Sequence, residues 1–353
     1  MLKIVMRYIL VYENRKDEES TKSSVMDLTP IFLCINFANI DKHYNNIYNL
    51  KYRECYKKRR RGIMKELIKS IRSFLNMSQT EFAESLNISF ATVNRWENGR
   101  AIPNKLAQST LYELCKMNNV PVYDMVLDKI KEKTGDIKIE DGRVLLYHGS
   151  KSGIKGAIEP KSRSKCDFGK GFYMGTEPAQ ALTLICDYDK SKFYIVSVAV
   201  DELQPLNVSA DLEWAMLVAY HRGRMDKIKG TLFYNKYRDM ANNKDIIIGS
   251  IADDRMFYVI DNFFLGNITD AALVNSLSAL ELGKQYVAIT QKACDAVKIE
   301  CEIELSYLER QFMKDIAGVN RTKGASLANE ICKNYRREGM FFDELLDAAL
   351  EED

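Results

Sequence analysis

From Met64 onward the apolar positions fall on one stripe of a 3.6-residue period, with Leu67, Ile71 and Phe74–Leu75 continuing Ile63. This spacing predicts a helix over 64–75. Ser78 stands three residues before Glu81, a capping box that opens a second helix over 79–86 with Phe82 and Leu86 inward. Asn87-Ile88 turns the chain. Ser89 caps a third helix over 90–97, and Gly99 supplies its left-handed terminus ahead of Pro103. A fourth helix, about 104–118, carries Leu106, Leu111, Leu114 and Cys115. Residues 119–140 are charged and irregular, which predicts a short helix and a linker.

After residue 140 the period changes. Val144–Tyr147, Tyr194–Val200, Asp245–Ile248, Phe257–Ile260 and Tyr286–Ile289 are short β-branched and aromatic runs, bounded by Gly, Asp or Asn, and predict strands. Helical patterns lie between them at about 178–187, 211–222, 226–242 and 269–280. The tail returns to helix at 304–318, at 325–337 ending near Gly339, and at 340–350. The expected organisation is an N-terminal extension over 1–63, a helical domain over 64–118, a linker over 119–140, a mixed α+β domain over 141–303 and a helical tail over 304–353.

The extension has two readings. It ends in the basic run Lys57-Lys58-Arg59-Arg60-Arg61, which suits a DNA-binding arm. Alternatively Met64 is the true start, since helical periodicity begins only there.

Composition narrows the class. The chain of 353 residues is 46% hydrophobic and 28% charged, with a formal net charge of +2, so nucleic-acid affinity has to come from a local patch. The eight cysteines are scattered without a C-x-x-C pair, and three histidines do not suggest a metal site. They read as reduced thiols in a cytoplasm. No run approaches the ~18 apolar residues of a membrane span.

The string MSQTEFAESLNISFATVNRWENGRAIP resembles the Cro/repressor helix-turn-helix family, over residues 64–118. The resemblance implies that the third helix enters the major groove of double-stranded DNA, with the second braced behind it. Ser89, Phe90, Ala91, Thr92, Asn94 and Arg95 would then face the duplex. Arg95 can fork to a guanine and Asn94 to an adenine, Phe90 and Ala91 can meet a thymine methyl, and Gln79 is placed for a phosphate. Phe82, Leu86, Val93 and Trp96 read as core, and Glu97 as pairing within the domain. One copy per chain implies a homodimer on two half-sites.

Three further strings are informative: Leu145-Leu-Tyr-His148-Gly149-Ser, Cys166-Asp-Phe-Gly-Lys-Gly171-Phe-Tyr173-Met-Gly-Thr and Gly283-Lys-Gln285-Tyr-Val-Ala-Ile-Thr. With Asp245-Ile-Ile-Ile-Gly-Ser they resemble a bacterial family of unknown function assigned by similarity to the ADP-ribosyltransferase superfamily. The resemblance implies an α+β split β-sheet domain that takes NAD as substrate. It places His148 on a ribose hydroxyl and Gly149 on the nicotinamide amide. Tyr173 would stack on the nicotinamide, Gly171 would allow the close approach, and Arg163 would meet the pyrophosphate. The superfamily's catalytic glutamate falls at Gln285, which can hydrogen-bond but cannot act as a base. Three readings stay open. An acid could come from Asp253, Asp254, Glu281 or Glu213. Gln285 could suffice by positioning. Or the site could bind NAD or another nucleotide without turnover.

The expected fold class is therefore an all-α helix-turn-helix bundle followed by an α+β ADP-ribosyltransferase-like split sheet with a helical tail. Two functions compete. One is a toxin- or defence-type transferase acting on a macromolecular ADP-ribose acceptor, with autoregulatory DNA binding. The other is a transcriptional regulator that senses a nucleotide. The catalytic reading rests on the rings of His148 and Tyr173 meeting in one slot. His221, with Arg222, reads as surface.

Overall fold

The computed structural model describes residues 64–163, 165–250, 254–279 and 283–351. The extension, with its basic run, lies outside the described residues, so neither reading of it is tested.

Five helices come first: α1 (64–74), α2 (Gln79–Ser85), α3 (Phe90–Glu97), α4 (Lys105–Met117) and α5 (Val122–Gly135). Their boundaries follow from local chemistry. The Ser78 hydroxyl accepts from Glu81 N, and the Glu81 carboxylate accepts from Ser78 N at 2.7 Å, so both halves of the capping box are made. Ser89 and Asn104 cap α3 and α4 through the N–H groups of Thr92 and Ala107. Gly99 ends α3 at φ +66°, a conformation open to glycine at little cost. Leu67, Ile68, Ile71, Phe82, Val93 and Leu111 are fully buried between these helices. Phe74 departs from the predicted stripe. It is half exposed, while Leu75 packs inward in its place.

Residues 119–140 are not mainly a linker. Fourteen of them form α5, whose Val122, Val126 and Ile130 join the core of the four preceding helices. The i, i+4, i+8 spacing of those three apolar residues is helical; the charges between them mask it in a composition-based reading.

The second region is built on one seven-stranded sheet in the order β4-β5-β6-β2-β1-β3-β7. The strands are β1 (Arg143–Ser150), β2 (Phe172–Gly175), β3 (Lys192–Ala199), β4 (Pro205–Val208), β5 (Ile246–Ser250), β6 (Lys284–Ala288) and β7 (Val297–Ile303). All pairings are antiparallel except β4 with β5. β1 and β2 share a single paired position, Tyr147 with Gly175, whereas β1 and β3 pair along eight. One face carries Leu146, Phe172, Met174, Tyr194, Val196, Ile246 and Ala288. The opposite face carries Tyr147, Phe193 and Ile195 on one side and Tyr173, Ile247 and Val287 on the other. The alternation is that of a pleated sheet covered on both faces.

The helices of this region are α6 (Pro178–Ile185), α7 (Leu212–His221), α8 (Leu232–Asp239), α9 (Asp254–Phe264), α10 (Asp270–Ala279), α11 (Gln291–Asp295), α12 (Tyr307–Tyr335) and α13 (Phe342–Glu351). Two expectations fail here. Phe257–Ile260 is not a strand but the middle of α9, whose Val259, Ile260, Phe263 and Phe264 bury one helical stripe. A four-residue apolar run is ambiguous between the two states, and Phe263–Phe264 one turn later decides for helix. The first two helices expected in the tail are one 29-residue helix, α12, in which Gly318 and Gly324 are accommodated; the third is α13. The strands β4 and β7 are not among the expected runs; β4 is only four residues long, and β7 has a charge at every second place, Lys298, Glu300 and Glu302.

α12 unites the two regions. Its start packs on α4: Tyr112 and Phe312 meet edge to face with centroids 5.1 Å apart, and the Tyr112 hydroxyl donates to Asp315 at 2.8 Å. No helix among the described residues is long and apolar enough to cross a membrane.

Candidate functional site

The surface expected to read DNA is the outer side of α3. Ser89, Phe90, Ala91 and Arg95 are exposed, and Thr92 and Asn94 are half-buried. Phe90 is 50% exposed. The inner side holds Val93 and Trp96 in the core, as the period predicts.

A polar network sets the angle of α2 against α3. Glu97, 2% exposed, takes Arg72 Nε at 2.6 Å and Nη2 at 3.2 Å, and also takes Gln79 Nε2 at 2.6 Å. Burial alone would raise the Glu97 pKa, but the hydrogen bonds from Arg72 and Gln79 outweigh it and hold the carboxyl below its ordinary value. Gln79 Oε1 in turn accepts from Asn94 Nδ2 at 3.3 Å, and Asn94 Oδ1 accepts from Asn98 at 3.1 Å.

Two of the predicted DNA contacts are therefore already engaged. The side chain of Gln79 is spent on Glu97 and Asn94 rather than turned to a phosphate. The Asn94 amide has partners on both its atoms. Both engagements have one cause: the buried carboxylate of Glu97, held by Arg72, takes a further donor from Gln79, which in turn accepts from Asn94. Thr92 accepts at the helix start from or donates to Ser89, 2.9 Å away. Ser89, Phe90, Ala91 and Arg95 remain as the outward set.

In the second region the predicted residues do not assemble as expected. His148 stacks on Phe172 with ring centroids 4.2 Å apart, and its Nδ1 lies 2.7 Å from the carbonyl of Tyr173. A carbonyl only accepts, so Nδ1 carries the hydrogen. Burial lowers the His148 pKa against that bond and leaves the ring neutral. Phe172 and Tyr173 are successive strand residues and project to opposite faces. Tyr173 packs with Phe168, Trp214 and Val287, whereas Phe172 packs with Met174 and Tyr194. The imidazole and the phenol are thus separated by the sheet. The slot expected between them is not formed.

Tyr173 is bound into the turn before its own strand. Its hydroxyl donates to Gly169 O at 2.8 Å and accepts from Phe168 N at 3.1 Å. Gly171 is required by packing, since a Cβ there would run into Val287. Gly149 faces α6, where a Cβ would lie 2.6 Å from the carbonyl of Ala181, so its close approach serves a helix rather than an open ligand space. Arg163 is exposed.

Gln285 does share a face with Tyr173. It is 4% exposed and donates from Nε2 to the carbonyl of Ser250 at 2.9 Å. It also hydrogen-bonds the carboxyl of Asp167. Of the acids considered as substitutes for a glutamate, Glu213 is exposed and paired with Lys236 at 2.8 Å. Asp253, Glu281 and the side chain of Asp254 lie outside the described residues.

The carboxylate that does reach this face is Asp167. It is 8% exposed and receives Arg222 Nη2 at 2.6 Å and Nε at 3.1 Å. Burial raises the Asp167 pKa, and the guanidinium of Arg222 opposes it. Arg222 is therefore not the surface residue expected. His221 is not surface either: its ring lies against Gly169, and its buried Nε2 has no partner among the described residues. Burial pushes the His221 pKa down to about 4. Nothing local foretold this pairing; Asp167 and Arg222 are 55 residues apart.

Two family models match separate stretches of the chain. Residues 68–124 match the model of the Helix-turn-helix family. The chain carries a helix-turn-helix domain. Residues 144–299 match the model described as Protein of unknown function (DUF3990). No curated protein and no solved structure matches the chain.

Proposed function

We propose that this protein is a sequence-specific double-stranded DNA-binding protein that reads bases with α3 as a homodimer. The observation that carries the reading is an outward row of Ser89, Phe90, Ala91 and Arg95 on a helix whose back is held by Trp96 and the Arg72–Glu97–Gln79 network. A reading helix has to be rigid behind and open in front, and α3 is both. Arg95 supplies a forked donor for a guanine, and Phe90 an apolar surface for a thymine methyl. The near-neutral chain agrees with affinity that comes from a specific face rather than from overall charge.

Selection of binding sequences from a random duplex pool, followed by titration of the enriched site, tests this. Arg95→Ala is expected to cost about 1–3 kcal/mol on the selected site and to relax one base position. Two chains per palindromic site are expected. A pool that enriches no sequence, or an Arg95→Ala variant with unchanged preference, refutes the reading.

The reading as an NAD-dependent transferase acting on a macromolecular acceptor draws no support from this geometry. It called for the His148 and Tyr173 rings in one slot, with Gln285 or an acid from elsewhere beside them. The rings lie on opposite faces, and the amide of Gln285 is bound to Ser250 and Asp167.

A further inference from the structure

Beside the Asp167–Arg222 pair the surface opens into a cleft of about 490 Å³, lined by Lys165, Arg222, Gly223, Arg224 and Asp261. We propose that this cleft is a binding site for a small phosphorylated molecule, held through a diphosphate or similar oxyanion group by Lys165, Arg222 and Arg224.

The argument starts from charge. Three of the five lining residues are cations and one is an acid, in a chain whose formal charge is only +2. Asp167 lies beneath Arg222, so the cleft keeps one positive charge even when both acids are counted. Asp226 approaches Gly223 but is not part of the lining.

Geometry gives the charges distinct roles. Asp167 holds Nε and Nη2 of Arg222 and so fixes the plane of the guanidinium. Its third nitrogen, Nη1, reaches Asp261 at 3.4 Å, at the long end for a charge-assisted hydrogen bond. Asp261 is half exposed at the rim of α9, and its carboxylate occupies the place that a ligand oxyanion would take. Lys165 and Arg224 are exposed and flank the same space from the loop before β2 and from the turn after α7. The turn between them passes through Gly223 at φ +71°, which leaves backbone rather than a side chain at the cleft wall.

The volume falls within the range of small-molecule sites, roughly 300–1,000 Å³. No aromatic ring lines it, so the recognised part of the ligand is its anionic group and not a stacked base.

The test uses the full chain, with pyrophosphate and a short single-stranded oligonucleotide as probes in isothermal titration at constant ionic strength. Both exposed cations are removed in the double variant Lys165→Ala, Arg224→Ala, which leaves the Asp167–Arg222 pair intact; thermal melting checks that it folds. The expected result is saturable pyrophosphate binding that weakens on the order of tenfold or more in the double variant, through loss of two charge-assisted contacts. Three results overturn the proposal: no saturable binding at millimolar pyrophosphate, equal binding by the folded double variant, or oligonucleotide binding that is tighter than pyrophosphate binding and is weakened in the double variant.

Discussion

The side-chain oxygen of Gln108 on α4 accepts the backbone N–H of Leu308, in the first turn of α12, at 3.0 Å. Its Nε2 donates to the carbonyl of Pro103 at 2.8 Å, and the residue is 5% exposed. One amide from the helix-turn-helix region thus completes the start of a helix 200 residues later. Gln108→Ala leaves a buried N–H and a buried carbonyl without partners, and is expected to cost about 2 kcal/mol in urea unfolding. In the native protein, fluorescence and circular dichroism are expected to trace one transition for both regions. Two separate transitions would show that the contact between α4 and α12 is weaker than its geometry indicates.

The Arg72–Glu97 pair makes a second stability prediction. Removal of one member strands the other, so Arg72→Ala, which leaves the 2% exposed Glu97 without its cation, is expected to lose about 3 kcal/mol, and Glu97→Ala somewhat less because the Arg72 it leaves behind is 22% exposed. The double variant should cost less than the sum of the two. Denaturant midpoints of the four proteins measure this. Additive losses would mean that the two groups do not interact.

His221 predicts a pH dependence. Its folded pKa is lowered to about 4 by burial, against an ordinary value of 6.5. The unfolded chain therefore takes up a proton first as the pH falls. Stability is fully present above about 6.5 and drains away toward pH 4. His148 shifts in the same direction, so His221→Leu should reduce the slope without abolishing it. Urea midpoints of the two proteins between pH 7 and 4 check the sign; a variant as pH-sensitive as the native protein contradicts it.

Separation of the His148 and Tyr173 rings has a chemical consequence. Nicotinamide release from NAD, assayed with protein, DNA and RNA acceptors, is expected to be no higher for the native chain than for Tyr173→Ala. The Tyr173→Ala variant should instead lose stability, by about 3–5 kcal/mol, since its ring is packed against Phe168 and its hydroxyl closes the turn at Gly169. Turnover that depends on Tyr173 in a fully folded variant would restore the transferase reading.

Much of the first region was legible in the residues themselves. Ser78 with Glu81, Ser89, Asn104 and Gly99 act within three or four positions of where they stand, so their effect on helix ends can be read locally. Trp96 and Val93 were legible as core because a 3.6-residue period leaves them no other side. Gln79 and Asn94 were not, since what engages them is a carboxylate whose burial depends on Arg72. In the second region, His148 and Tyr173 each sit on a strand. Which face each presents depends on where β2 crosses β1, and only one paired position between those strands sets that register. α9 and α5 were misread because neighbours decide between states that a short run leaves open.

Local order along the chain was therefore enough to establish a helix-turn-helix with an exposed outer face on α3 and a mixed sheet after it, because caps, turns and periodic stripes are interactions between near neighbours. Tertiary packing alone decided that α12 joins the two regions, that Asp167 meets Arg222 beside a cationic cleft, and that an imidazole and a phenol expected in one slot stand on opposite sides of a sheet. Those outcomes depend on strand register and on partners tens to hundreds of residues apart, and the energy of such contacts exists only once the chain has closed on itself.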